Sequence, residues 1–306
     1  MHLIIPFAAP ASDAGRKALA ALKPGPLQRL LARWLPAERW SGDDLTLSAP
    51  HERVRALATG LVAEDGCWPW ASLQAAQDGV DIAGSAWALL TPAHLHLGTD
   101  QVTLTDPDDL ALEAGTSREL LEAVRSLFES EGFTLAWGAP LRWYAAHALF
   151  DGLPTASLDR VVGRNINRWL PDAPQARLLR RLQNEVQMLL YTHPINDRRE
   201  AAGQRPVNSF WVSGCGRAQS AARVAPPRVD ERLSGPALNE DWPSWSAAWP
   251  SVGADAMRAL QDDPQGRITL CGERGAASWT AAGAGAWRRW TSAWRPTDLA
   301  LLLEGL

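Results

Sequence analysis

An α/β fold is what this sequence predicts, and three observations predict it. Residues 3–7 form a short apolar run of strand length, followed by Ser12 or Asp13 as a cap for a helix over 14–22. Strand-like and helix-like segments then alternate along the chain, the pattern of sheets covered by helices. At 306 residues, with 46% hydrophobic and 21% charged residues, the chain has the size and composition to bury one large α/β core or two smaller ones.

The elements follow in order. After the Pro24-Gly25-Pro26 break a second helix runs over 27–34, and residues 35–40 turn the chain. Pro50, His51 and Glu52 open a helix to about residue 61. Residues 86–97 read as paired strands around Thr91-Pro92, with a short strand at 102–104. Thr116 or Ser117 with Glu119 starts an amphipathic helix whose apolar face is Leu120, Leu121, Val124, Leu127 and Phe128, closed by Gly132. Strands at 133–137 and 142–147 are joined by a turn through Gly138 and Pro140.

Leu178, Leu179, Leu182, Val186, Leu189 and Leu190 recur at three- and four-residue spacing, one helical face over 176–191. Pro194 ends that helix, because it moves His193 out of αR geometry. A loop follows, then a strand at 207–212 that delivers a tight turn at Gly214 and Gly216. Residues 218–243 read as a linker or long loop, before a helix at 254–260, a strand at 267–271, a turn at 272–275 and helices through Leu303.

Composition narrows the function classes. No apolar stretch is long enough to span a bilayer, and residues 1–10 lack a basic leader region, so the expectation is a cytoplasmic protein without a membrane partner. Cys67, Cys215 and Cys271 are odd in number and far apart, which argues against a disulfide framework or a Cys-x-x-Cys metal site. Cys215 as a nucleophile would need a depressed pKa. Thirteen arginines and seven acids lie between Thr155 and Arg232, net +6, against −10 for the rest. That basic middle suits an anion site or an acidic partner protein better than nucleic acid, and no helix-turn-helix or zinc pattern is visible.

Sixteen tryptophans against five phenylalanines and two tyrosines make the chain tryptophan-rich. Trp242, Trp245 and Trp249, and again Trp287, Trp290 and Trp294, fall on one helical face, either as core or as a stacking platform. Of six histidines, His2 and His51 sit near element starts and His147 in a strand. His94 and His96 alternate on one strand face, a spacing that chelates metal only with a third ligand, which the sequence does not place.

The most informative stretch runs from 193 to 217: His193-Pro194, Asn196, Arg199-Glu200, Gly203, Pro206, Asn208-Ser209, Trp211 and Gly214-x-Gly216-Arg217. It resembles the archaeal-type cofactor-independent phosphoglycerate mutases, and more closely the proteobacterial proteins called regulator-of-pathogenicity-factors E-like. The resemblance reaches upstream through Asp159, Gly163 and Arg164, with Leu158 where the mutases carry a histidine, and the helix-strand-strand order extends it to 103–217. It implies a reduced alkaline-phosphatase-like architecture: an α/β core from 1–102 and 244–306, a smaller α+β lobe at 103–217, and a linker at 218–243.

In that superfamily two metal ions held by aspartates and histidines activate a serine or threonine. Here the first strand ends in Phe7-Ala8-Ala9-Pro10, and no histidine follows His193. The expectation is therefore a chain with no metal and no cofactor, a regulatory or phosphorylated-ligand-binding relative. An active mutase or other phosphoester enzyme, and a protein-interaction module, stand as alternatives. Arg164, His193, Asn196, Arg199, Asn208, Gly214, Gly216 and Arg217 are the candidate ligand-binding residues, with the three arginines and the glycine N–H groups facing a phosphate or carboxylate. The competing reading ties Asn196 and Asn208 to loop backbone and gives His193 the helix-to-loop turn.

Overall fold

A computed structural model describes residues 1–23, 25–82, 84–220, 225–282 and 299–306. Its strands are β1 (His2–Ala9), β2 (Leu35–Ser41), β3 (Ala86–Ala93), β4 (Leu95–Leu97), β5 (Val102–Leu104), β6 (Thr134–Ala139), β7 (Arg142–Ala146), β8 (Ser209–Arg217), β9 (Arg228–Val229), β10 (Arg267–Gly272) and β11 (Gly275–Thr280). The helices used below are α1 (Asp13–Ala20), α2 (Pro26–Arg33), α3 (Pro50–Ala58), α4 (Trp70–Gln77), α5 (Ala114–Glu129), α6 (Leu158–Val161), α7 (Ala176–Tyr191), α8 (Pro194–Ala201), α9 (Ser234–Leu238) and α10 (Trp242–Leu260). The chain divides into two units, Met1–Leu61 with Ala221–Leu306, and Val62–Ser220. The fold is mixed α/β.

The first unit is built on a five-stranded sheet of order β2-β11-β10-β1-β9. β1 runs parallel to β10 and β9, while β11 is antiparallel to both β10 and β2. Alternation along β1 explains why both faces are covered: Leu3, Ile5 and Phe7 join α1, α2 and α10 in one core, whereas Ile4 meets Val54 of α3 and Cys271 on the other. Ser12 caps α1 through its hydroxyl, which accepts from the Gly15 N–H at 3.1 Å.

The second unit carries an antiparallel sheet of order β6-β7-β3-β8 and a separate β4-β5 pair. On one face lie the apolar stripes of α5 and α7, with Leu120, Val124 and Phe128 meeting Leu179, Leu182 and Val186. Ala71 and Ala75 of α4 cover Trp87 and Tyr144 on the other. Ser117, the residue read as a helix start, is fully buried instead, and α5 begins at Ala114. Its hydroxyl donates to the Pro140 carbonyl at 2.8 Å and accepts from the indole N–H groups of Trp137 at 3.1 Å and Trp143 at 2.9 Å.

Several boundaries differ from the sequence reading. β3 pairs with β7 and β8, so the division falls after Leu61 and not after residue 102. Residues 35–40 are not a turn but most of β2, an edge strand whose Pro36 and exposed Glu38 suit a position needing few ladder donors. The supposed linker at 218–243 contains β9, α9 and the start of α10, which passes through Pro250 rather than starting after it. β11 stands where helices were expected, alternating small residues being compatible with either state. Trp287, Trp290 and Trp294 lie outside the described residues.

Candidate functional site

The His193–Arg217 stretch begins where α7 gives out. His193 takes extended geometry as the N-cap of α8, and its Nδ1 accepts from the Ile195 N–H at 3.3 Å. Pro194 therefore ends one helix and starts another, as its fixed φ and missing N–H allow at a first helical position. The loop expected here is mostly helix.

Asn196 projects from α8 into the core. Its Nδ2 donates to the Leu190 carbonyl at 2.9 Å and the Val207 carbonyl at 2.8 Å, and its Oδ1 accepts from the Val207 N–H at 2.9 Å. One buried amide thus joins the end of α7, α8 and the chain entering β8. Arg199 is also buried; its Nε donates to the Arg205 carbonyl at 2.9 Å and one terminal nitrogen to the Leu110 carbonyl at 2.5 Å. Burial lowers its pKa from the usual arginine value. Asn208 pairs with the backbone of Leu95 in both directions, accepting at 2.7 Å and donating at 2.9 Å.

The glycines belong to β8 itself, not to a turn beyond it. Ser213 faces Leu89 and Gly216 faces Trp87, so three steps on β8 oppose two on β3, a bulge. Gly214 holds φ +64°, and a Cβ there would stand 3.1 Å from Trp70 Cβ; a Cβ on Gly216 would stand 3.1 Å from Pro69 Cβ. The bulge lets the first turn of α4 lie against the strand, where the Ser72 hydroxyl donates to the Gly216 carbonyl at 2.5 Å. Arg217 follows, exposed, with its Nε 2.7 Å from an Asp151 carboxylate oxygen and another nitrogen on the Gly84 carbonyl. Arg164 is half-buried just after α6.

Arg199 and Arg217 do not meet through β8, and Arg164 follows Gly163, whose N–H donates to the Leu104 carbonyl of β5 at 2.9 Å. Arg199 binds the chain before the strand, while Arg217 is its last residue, about 26 Å of extended backbone beyond Ser209. His94 sits between β3 and β4 with its Nδ1 2.9 Å from the Pro206 carbonyl oxygen, and His96 is exposed on β4. Among the described residues no group of three or more His, Cys, Asp or Glu side chains is placed to hold a metal ion. Cys215 is buried beside Thr155, and burial pushes its thiol up to about 12, opposite to an activated nucleophile.

The sequence reading missed one polar cluster. Asp78 receives Nε and a terminal nitrogen of Arg142 at 2.9 and 3.0 Å and the Tyr144 hydroxyl at 2.6 Å. These bonds hold the Asp78 carboxyl below the usual carboxylate range, the tyrosine contribution being largest. Arg142 and Tyr144 are two apart on β7, a same-face spacing that was readable; Asp78, 64 residues upstream of Arg142, was not.

In the first unit, the carboxyl end of β1 is Phe7, Ala8, Ala9 and Pro10, all buried. Phe7 holds φ +51°, rare for a bulky side chain, where β1 departs from regular pairing with β10. Its carbonyl accepts from the Trp245 indole N–H at 2.9 Å, and the His51 ring lies 5.8 Å away.

No family model matches the chain. A relative from Geobacter sulfurreducens, described as a "Probable 2,3-bisphosphoglycerate-independent phosphoglycerate mutase", is 30% identical over 195 residues. That match covers 61% of this chain and 46% of the relative, so the chain spans less than half of the relative's length. The chain is similar in sequence to these mutases over that span. Among solved structures, the cofactor-independent phosphoglycerate mutase from Thermoplasma acidophilum is 16% identical with a TM-score of 0.38, covering 100% of this chain and 99% of that one. The PH0037 protein from Pyrococcus horikoshii is 14% identical with a TM-score of 0.42, covering 92% and 87%.

Proposed function

We propose that this protein is a phosphoglycerate-mutase-like protein that works without phosphoryl transfer, as a regulatory or ligand-binding relative. The observation that supports this reading is the carboxyl end of β1, which presents Phe7, Ala8, Ala9 and Pro10 in a buried apolar array. Two-metal phosphoryl transfer needs anionic donors to neutralise the attacking and leaving oxygens together, and hydrocarbon side chains supply none.

The ligand in this reading is a phosphorylated organic acid, and Arg217 is the proposed contact. Asn196, Arg199 and Asn208 hold the backbone that enters β8, the strand that ends in Arg217. Arg217 is bound to Asp151 at the surface, an arrangement that an incoming dianion can replace at small cost. Metal-stripped protein is titrated with 3-phosphoglycerate and then assayed for mutase turnover with manganese or zinc. Binding without turnover is the expected result, weakened by Arg217→Ala. Metal-dependent turnover by clean protein overturns the non-catalytic reading, and unchanged binding by Arg217→Ala removes that residue from the site.

A further inference from the structure

Several arginines of the basic middle have their charge already engaged: Arg199 on backbone carbonyls, Arg181 on Glu131 and Glu185, Arg198 on Glu119, and Arg232 on Asp230. Arg177 and Arg180 differ. Both lie near the start of α7, and neither side chain makes a hydrogen bond or ion pair among the described residues. The first turn of α7 contains no acid, so these cations stand at the positive end of the helix dipole, and at three residues apart they repel each other.

The same face of α7 turns apolar toward its end. Leu179, Leu182, Val186 and Leu190 are buried in the core, and on the opposite side Arg177, Arg180, Asn184, Met188 and Tyr191 follow one another at three- and four-residue steps. Met188 is 76% and Tyr191 84% exposed, one turn apart. The other large apolar side chains that stand exposed among the described residues lie singly on separate elements or loops, as isolated surface residues do. The stripe is thus basic at its start and apolar at its end, about 21 Å from Arg177 to Tyr191 at the rise of an α-helix.

We propose that this face of α7 docks an acidic amphipathic helix of a partner protein. Side chains three and four apart form the ridges that pack into the grooves of another helix. Carboxylates of the partner pair with Arg177 and Arg180 and replace their mutual repulsion by charge-assisted hydrogen bonds. Its apolar side chains cover the Tyr191 ring and the adaptable Met188 thioether. A second copy of this chain fits the stripe less well, because the same face brings further unpaired cations and no carboxylate to answer them. The stripe uses none of the residues proposed for the phosphorylated ligand, so the two readings stand or fall separately.

The test uses the full chain and a fluorescein-labelled helical peptide as long as α7, with glutamates and leucines on one face in separate halves, made in both orders. Fluorescence anisotropy follows the titration, and circular dichroism confirms that each variant is folded. The expected result is saturable binding of one order, weakened about tenfold or more by Arg177→Glu with Arg180→Glu, and likewise by Met188→Ser with Tyr191→Ser. Both pairs change exposed or half-exposed side chains, and acids near a helix start suit its dipole, so the fold is retained. A peptide with lysines in place of the glutamates should bind the charge-reversed variant and not the unaltered chain. No saturation at millimolar peptide overturns the proposal, as does equal binding by the charge-reversed variant or a lysine peptide that fails to rescue it. A dimer of the chain alone in sedimentation, dissociated by Tyr191→Ser, would give the face to a second copy and overturn it too.

Discussion

Asn196 in the second unit and Trp249 in the first are both buried side chains with hydrogen-bonding atoms, and they end in opposite states. Asn196 makes three bonds to backbone groups of Leu190 and Val207; the Trp249 indole N–H makes none. The amide therefore acts as scaffold, since the Val207 N–H and carbonyl it satisfies would otherwise be orphaned groups in the core. The indole N–H is closed to water and left without an acceptor, a cost that the packing of its ring in the core offsets. Polar residue type alone does not separate the two cases. What separates them is whether the fold has already supplied the partner.

The largest expected effect comes from breaking the satisfied case. Asn196→Ala strands the Val207 N–H and carbonyl, while the Leu190 carbonyl keeps the His193 N–H, and at ~1 kcal/mol or more for each stranded group it should cost at least ~2 kcal/mol of unfolding free energy. Urea denaturation read by circular dichroism measures it; a loss under 1 kcal/mol would mean that water replaces the amide and that the residue is available to a ligand. The paired tryptophans on α10 sharpen the same point. Both Trp245→Phe and Trp249→Phe lose the same buried ring volume, but only the first leaves a carbonyl, that of Phe7, without its donor, so it should cost ~1–3 kcal/mol more than the second. Equal losses in the two variants would contradict the difference in satisfaction.

A third effect is pH-dependent. His2 is held down to about 4, first by burial, then by Arg267 and the N-terminal ammonium, while its Nε2 lies 2.8 Å from the Thr269 hydroxyl oxygen. Because the folded-state pKa is depressed, the unfolded chain takes up the proton first as pH falls from about 6.5 toward 4. Stability is full above 6.5 and declines through that window. Discounted for partial exposure, the decline attributable to this residue should be ~1 kcal/mol, visible as a flatter pH profile in His2→Gln. An identical profile in the variant would move the effect elsewhere.

How much of this was legible in the sequence depends on whether periodicity or long-range pairing decides an element. The stripe Leu179, Leu182, Val186 and Leu190 gave α7 because a helix face is set by local spacing. β2 and β9 were missed because edge strands are defined by their partners, and Pro36, Arg39 or Arg228 carry no apolar alternation. α8 escapes a reading in which Pro194 only ends a helix, because this proline both follows one helix and opens the next. The backbone-tying role weighed for Asn196 and Asn208 matches their bonds. The Asp78 cluster is invisible to the sequence because its partners come from segments far apart along the chain.

The smallest expected effect belongs to Arg217, and its smallness is what makes it useful. Its side chain and that of Asp151 are 51% and 52% exposed, so their ion pair at 2.7 Å is screened by water. Arg217→Ala should change the unfolding free energy by under 1 kcal/mol, and a double-mutant cycle with Asp151→Asn should return a coupling of ~0.2–1 kcal/mol. A small coupling means that the pair can open to admit a phosphorylated acid without loosening the bulge at Gly214 and Gly216. A coupling above 2 kcal/mol would place Arg217 with Asn196, as a residue whose hydrogen-bonding capacity the fold has already used, and would withdraw it from the proposed ligand contacts.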